Sequence, residues 1–338
     1  MLRPERLRWS LALGAISAAA ALSSCVTDWL RRSPTYDTRP LAIETIGLFN
    51  QRAPSRLSAK NWKGDWIFRR DRLAMIDQDL RETKPDLLIL QEAMQRIGNT
   101  AESDKSILQA GALAAYDWRQ QQVQEYADTQ ETEQAAVAAG FPLKFLPSGD
   151  GKRETWAMGS GGYAMLATID YEDQPIVVLN VQLPETGPGS LIWYGFLRER
   201  LTAKLVQDHL CAKRLIIAGL LPGDDSNERF GEFMQVLQLK DSSQGFCQQA
   251  GHCFTATPVN DLFMATVGEE TPTRVDKILV HRSANVYSSS RAFEDFANHN
   301  QYGLEFGLER LWPTKRFGWR SQVRLGRCSD AQLGLGTL

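Results

Sequence analysis

Glu92 is the residue of this 338-residue chain from which a reading of its chemistry starts. It follows an unbroken apolar run, Leu87-Leu88-Ile89-Leu90, which a turn signal, Lys84-Pro85-Asp86, introduces. Such a run predicts a strand buried on both faces. A carboxylate at its end would stand at the rim of a sheet, where cations and substrates are met; otherwise it is a surface glutamate after a core strand. A second group of oxygen donors, Asp224, Asp225 and Asn227, precedes an expected helix from Glu228. Carboxylates of this kind suit hard cations such as Mg²⁺, and the same residue types cap helices.

The chain has four histidines, His209, His252, His281 and His299, and five cysteines. Cys247 and Cys253 flank a short loop and are expected to form a disulfide; a zinc site with His252 would lack an evident fourth ligand. Cys211 and Cys328 either pair or remain buried thiols.

Apolar residues make up 43% of the chain, enough for a sizeable core. A net charge of −2 supplies no basic field for nucleic acid, so nucleic acid is not expected as a partner. The first residues differ from the rest. Arg3, Arg6 and Arg8 precede a short Ala-rich apolar run and the small residues Ser23-Ser24, the pattern of an export signal. Leu22-Ser23-Ser24-Cys25 resembles the lipobox of bacterial lipoproteins. That resemblance implies a signal peptide over 1–24, lipidation of Cys25 with a tether over 25–40, and membrane anchoring as the partner interaction. Val26 after the cysteine implies the outer membrane, with the protein facing the periplasm.

The elements that would position Glu92 follow in order. A strand is expected from Leu41, a helix over 69–82, and a helical pattern over 103–115. The Ala-rich stretch 127–140 reads as a surface loop or short helix. Strands over 163–169 and 175–182 read as a hairpin. Helices are expected over 191–210 and 228–239, with strands at 214–219, 254–257, 274–280 and 320–325. Mixed connections of this kind favour two packed sheets with helices outside. The run Gly159-Ser160-Gly161-Gly162 precedes a strand, not a helix, and fails as a phosphate loop.

An ordered set of short motifs resembles the endonuclease/exonuclease/phosphatase family, whose members include deoxyribonuclease-like, sphingomyelinase-like and inositol-phosphatase enzymes. The set is Leu48-Phe49-Asn50, Arg69-Arg70-Asp71-Arg72-Leu73, Pro85 to Glu92, Val178-Leu179-Asn180-Val181-Gln182-Leu183, Ile216-Ile217-Ala218-Gly219 and Thr273-Arg274-Val275-Asp276-Lys277-Ile278-Leu279. The resemblance spans 41–325 and is nearest the sphingomyelinase-like branch from Cys253 to Asp276. It implies a four-layer α/β sandwich over 41–328, with a tail at 329–338, and metal-assisted hydrolysis of phosphoesters. Asn50, Glu92, Asn180 and Asp276 stand at family positions. Three motifs depart. Gln182 replaces a phosphate-binding His, Gly219-Leu220-Leu221-Pro222 replaces Gly-Asp-x-Asn, and Gly318-Trp319-Arg320 replaces Ser-Asp-His.

Leucine ligates no metal and tryptophan orients no base, so the expectation is a non-catalytic binding or structural module at the cell envelope, with a protein, lipid or glycan as ligand. The other reading is a divergent metal-dependent phosphodiesterase or phosphatase acting on phospholipid, nucleic acid or phosphorylated sugar. It would hold Mg²⁺ or another divalent cation on Glu92 with Asp224 and Asp225, with His299 as substitute base. The aromatics Phe293, Phe296, Tyr302, Phe306, Trp312, Phe317 and Trp319 would pack a core or, if exposed, stack on a ligand.

Overall fold

The computed structural model describes residues 36–48, 69–126, 130–146, 154–158, 162–183, 192–224, 226–247, 253–257, 259–260, 272–298, 310–314 and 316–329. Two seven-stranded sheets face each other. In the first, strands run in the order β13 (Asn285–Ala292), β16 (Gly318–Arg324), β1 (Leu41–Gly47), β2 (Leu87–Arg96), β5 (Glu131–Ala139) and β4 (Asp117–Tyr126), with β3 (Asn99–Ser103) pairing β2. In the second they run β11 (Leu239–Asp241), β12 (Asp276–His281), β10 (Leu215–Leu220), β9 (Gln174–Gln182), β8 (Gly162–Tyr171) and β6 (Leu143–Phe145), with β7 (Thr155–Met158) on β8. A two-stranded ribbon, β14 (Ala297–Asn298) and β15 (Arg310–Leu311), stands apart.

Each sheet holds one parallel pair, β1 with β2 and β9 with β10. A parallel pair needs a crossover. The helices α1 (Arg69–Thr83) and α3 (Trp193–Gln207) lie in those connections. Leu73, Ile76 and Leu80 recur at helical spacing on α1 and are buried against the first sheet with Leu88 and Leu90, beside the short helix α2 (Asp104–Gln109). Leu197, Leu201 and Leu205 of α3, with Phe230 and Phe233 of α4 (Glu228–Val236), cover the second sheet. Between the sheets, Leu87 and Ile89 meet Met165, Ile176, Val178 and Ile216. Residues 87–90 are therefore buried on both faces, as their unbroken apolarity predicts. The expected α/β sandwich is observed.

Residues 127–140 were misread. Their described part is mostly β5, an inner strand with both faces covered. Its alanines favour helix in isolation. Here small side chains let β5 lie between β2 and β4 while both faces stay packed, and tertiary context overrides local propensity. The expected strand at 254–257 is reduced to a single bridge, Ala256 to Thr273.

The expected disulfide Cys247–Cys253 forms, and Cys211 and Cys328, for which a pair and buried thiols were both open, are joined as well. The expectation of the membrane as a partner is corrected. Every cysteine among the described residues is engaged in a disulfide, which leaves none of them for acylation. Cys25 lies outside the described residues, and a membrane anchor is not carried forward. Among the described residues no helix is long and apolar enough to cross a membrane.

Asp37, assigned by sequence to the tether, is buried and receives a hydrogen bond from Arg214 at 2.6 Å. Arg214, itself fully buried, also donates to the carbonyls of Tyr171, Gln174 and Pro175. Gln174 and Cys328 exchange two hydrogen bonds. This clasp joins residues 36–39, the β8–β9 turn and the C-terminal residues at one end of the sandwich. Glu92 lies at the other.

Candidate functional site

The C-terminal ends of β1, β9 and β10, the middle of β2 and the first residues of β12 and β16 meet at that other end. Glu92 is placed there by an irregularity in β2. Leu90 pairs with Ala136 and Ala93 with Gln134, so Gln91 and Glu92 together oppose Ala135. An extra residue of this kind bends the strand and re-aims a side chain. Glu92 takes φ +55°, a left-handed conformation rare for a residue with a side chain. It is buried, and its Oε2 has no hydrogen-bond partner among the described residues.

Asn180 projects from β9 between the sheets. Its amide donates to the carbonyls of Leu90 at 2.8 Å and Ala136 at 2.9 Å, where the β2–β5 ladder is interrupted. Its Oδ1 accepts from Gln91 Nε2 at 2.8 Å. A Cβ on Gly219, at φ +131°, would lie 2.0 Å from the Val181 carbonyl and 2.9 Å from Gln91 Nε2, so glycine is required for this network. Asn180 is fully buried and ties one sheet to the other.

Gln182, at the end of β9, donates to Glu133 Oε1 at 3.3 Å, and Tyr126 donates to Glu133 Oε2 at 2.7 Å. The Tyr163 hydroxyl lies near these carboxylates. Burial pushes its pKa well above the usual phenol value, and Glu133 and Glu92 push it further. Glu133 was not foreseen as part of the cleft. Its one sequence signal is a pair of glutamates flanking Thr132 ahead of a run of small apolar residues.

Asp276 opens β12 and is fully buried. Its N–H donates to Thr255 Oγ1 at 3.1 Å, and its Oδ2 accepts from Arg316 Nε at 3.3 Å. Nη2 of the same guanidinium lies 3.6 Å from Glu92 Oε1. Arg316 is only 2% exposed. Sequence reasoning missed it because the lost motif was aligned with Gly318-Trp319-Arg320. Those three belong to β16. The Trp319 indole N–H donates to Ser289, and Arg320 pairs with Glu44 and with Asp79 of α1, away from Asp276.

At the end of β10, Leu220 and the following Leu221 are buried. The Lys277 ammonium donates to the carbonyls of Leu221 and Arg274. Burial, reinforced by Arg274, lowers its pKa to about 7. Asp224 is exposed and accepts from the backbone N–H and the hydroxyl of Ser226. Those bonds hold its carboxyl below the usual range. Asn227 caps α4 by accepting from the Phe230 N–H at 3.1 Å. His281 is at the far end of β12 from Asp276, bonded to Ser283 and Gln238. Phe293, Trp312, Phe317 and Trp319 are core residues, while Phe296 is exposed. Asn50, Asp225, His252, His299, Tyr302 and Phe306 lie outside the described residues.

Among the described residues no group of three or more His, Cys, Asp or Glu side chains is arranged to hold a metal ion. The carboxylates of Glu92 and Asp276 instead share a guanidinium. The described residues do not fit the divalent cation that the sequence resemblance implies.

Several solved structures have a similar fold. One is a mannosyl-6-phosphatase from Bacteroides thetaiotaomicron (TM-score 0.58, 14% identity, 84% of this chain and 99% of that chain covered). Another is an endonuclease/exonuclease/phosphatase family protein from Leptotrichia buccalis (TM-score 0.54, 13% identity, 84% and 99%). A third is truncated TDP2 from Caenorhabditis elegans (TM-score 0.55, 11% identity, 85% and 98%). The chain therefore has the endonuclease/exonuclease/phosphatase fold; at these identities the likeness concerns fold alone. No family model matches the sequence, and no curated protein does.

Proposed function

We propose that this protein uses an endonuclease/exonuclease/phosphatase-like domain, residues 41–328, as a non-hydrolytic binding module. The observation that carries this reading is the segment at the end of β10. Where the resembling family has a carboxylate and an amide to orient water and phosphate, this chain has Leu220, which is buried, and Pro222, and it sets a lysine ammonium on the Leu221 carbonyl between them. Acid–base groups contribute about 10²- to 10⁴-fold to such reactions, and electrostatic groups commonly contribute more. Gln182 in place of His removes a further member. The two disulfides support an exported protein working in an oxidising compartment such as the periplasm.

The test is hydrolysis of a panel comprising single-stranded DNA, sphingomyelin, mannose 6-phosphate and an aryl phosphodiester. Each is assayed with Mg²⁺, Mn²⁺ and Ca²⁺, wild type beside Glu92→Ala. The expected result is no turnover above buffer for either protein. Metal-dependent turnover that disappears in Glu92→Ala would overturn the proposal in favour of a divergent phosphodiesterase.

A further inference from the structure

We infer that Arg316 is the resident cation of the cleft, a tethered guanidinium standing between Glu92 and Asp276 where a divalent ion would otherwise be required. The inference deepens the non-hydrolytic reading by naming what fills the cation position, but it stands on separate observations.

The first is charge geometry. Two carboxylates from different sheets, Glu92 of the first and Asp276 of the second, converge on one side chain at 3.6 Å and 3.3 Å. All three groups are buried. Carboxylates brought together away from water repel, and one cation between them offsets that repulsion. A metal ion is the mobile solution to this problem; an arginine is the covalent one. The guanidinium presents several N–H groups in one plane, so a single side chain can serve two carboxylates.

The second observation is that the surroundings are shaped for the guanidinium. A Cβ on Gly47, the last residue of β1, would lie 2.6 Å from Arg316 Nη2 and 3.5 Å from Glu92 Oε2. Glycine at this position leaves the space that the guanidinium fills. Gly47 is not at positive φ, so its requirement here is one of room, not of backbone freedom.

The third is that the segment carrying Arg316 is fastened from several directions. Asn260 donates to the Thr314 carbonyl at 2.8 Å, and Arg72 of α1 donates to the Pro313 carbonyl at 3.3 Å. The Thr314 hydroxyl bonds the Arg316 carbonyl. The Phe317 N–H donates to the Thr255 carbonyl at 2.9 Å, and the Thr255 hydroxyl accepts from the N–H groups of Val275 and Asp276. Thr255 thus fixes the backbone on both sides of the Arg316–Asp276 pair. A guanidinium held this way costs little ordering entropy each time the pair forms.

The consequence is a cleft indifferent to divalent cations until the guanidinium is removed. The experiment is calorimetric titration of Mn²⁺ into the full chain, freed of metal by chelator, together with melting curves in Mn²⁺ and in chelator. Wild type is expected to show no one-to-one Mn²⁺ binding and the same melting temperature in both media. Arg316→Gln keeps a polar side chain of similar length without the charge. It is expected to acquire one-to-one Mn²⁺ binding about tenfold or more tighter than wild type, because two carboxylates are left without their cation. Its melting temperature should rise with Mn²⁺. Arg316→Gln/Glu92→Gln should lose what the single variant gained.

Stoichiometric binding by wild type, no gain in folded Arg316→Gln, or a gain that survives Glu92→Gln would each overturn the inference. If Arg316→Gln does not fold, the wild-type titration and Gly47→Ala decide it. Gly47→Ala crowds the guanidinium and should shift wild-type behaviour toward metal binding; unchanged indifference there would count against Arg316. Turnover of the phosphoester panel without metal would instead defeat the non-hydrolytic reading while leaving Arg316 in place.

Discussion

Arg316 Nε and Asp276 Oδ2 lie 3.3 Å apart with both side chains buried. Asp276, which stands at a family position in the sequence resemblance, therefore faces a guanidinium, which has no lone pair with which to accept a proton. Removing one partner of such a pair leaves an uncompensated buried charge, at a cost of about 3–5 kcal/mol. Arg316→Met is expected to lose stability on that scale in urea denaturation at neutral pH. Arg316→Met/Glu92→Gln should recover part of it, since one orphaned charge is gone. Equal stability of the single variant and wild type would show that the ion pairs hold nothing in place.

Glu92 sits at φ +55°. A Cβ in this region costs on the order of 1–2 kcal/mol. Glu92→Ala keeps that strain and Glu92→Gly relieves it, although glycine also loosens the unfolded chain. Glu92→Gly is expected to be more stable than Glu92→Ala by about 1 kcal/mol, read as a shift in the urea midpoint. The reverse order would mean that the irregularity in β2 relaxes when the carboxylate is absent.

Asn180 gives both amide hydrogens to carbonyls of the opposite sheet. Asn180→Ala strands those carbonyls in the interior, where each unsatisfied group costs about 1–3 kcal/mol. A loss of several kcal/mol is expected. Gly219→Ala should do comparable damage by driving a Cβ against Gln91 and the Val181 carbonyl. Hydrogen exchange at β2 and β5 would report both.

The sandwich was legible because buried strands declare themselves locally. The runs around Leu88, Leu179 and Ile217 are apolar on both faces, and α1 carries Leu73, Ile76 and Leu80 at helical spacing. The strand from Glu131 was not legible, because its alanines favour helix and only its two neighbours make it a strand. Within the site, Glu92 could be read as the carboxylate that follows the apolar run, although β2 continues past it to Arg96. Arg316 could not. Its role exists only because a loop ahead of β16 returns beside β12, and no local pattern marks that return. Asn180 was legible as a residue but not in its use, since the carbonyls it satisfies are exposed by an irregularity in a strand of the other sheet.

Lys277 gives the domain a pH dependence of known sign. Its pKa is lowered in the folded state to about 7, against an ordinary value of 10.5. Between these values the unfolded chain binds more protons than the folded one, so this group makes stability rise with pH across that window. The contribution is flat below about 7 and flat again above about 10.5. The slope between approaches about 1.4 kcal/mol per pH unit at most. Lys277→Met removes the charge and is expected to flatten the urea-midpoint profile over this range. A profile unchanged by the substitution would mean that another group sets the dependence.

The two disulfides close loops of very different length, with sequence separations of 117 for Cys211–Cys328 and 6 for Cys247–Cys253. Cross-linking restricts the unfolded chain more when the closed loop is long, which gives about 5 kcal/mol for the first and about 2 kcal/mol for the second in the chain-entropy account. The first also fastens the C-terminal residues to the segment that carries Arg214, whose guanidinium holds Asp37 and three carbonyls of the β8–β9 turn region. Paired Ser substitution of Cys211 and Cys328 is therefore expected to destabilise more than paired substitution of Cys247 and Cys253. It should also raise hydrogen exchange in residues 36–39 and 171–175, while leaving the Arg316 end of the sandwich protected. Equal losses from the two pairs would show that the clasp at Asp37 and Arg214 holds its end of the sandwich without the bridge.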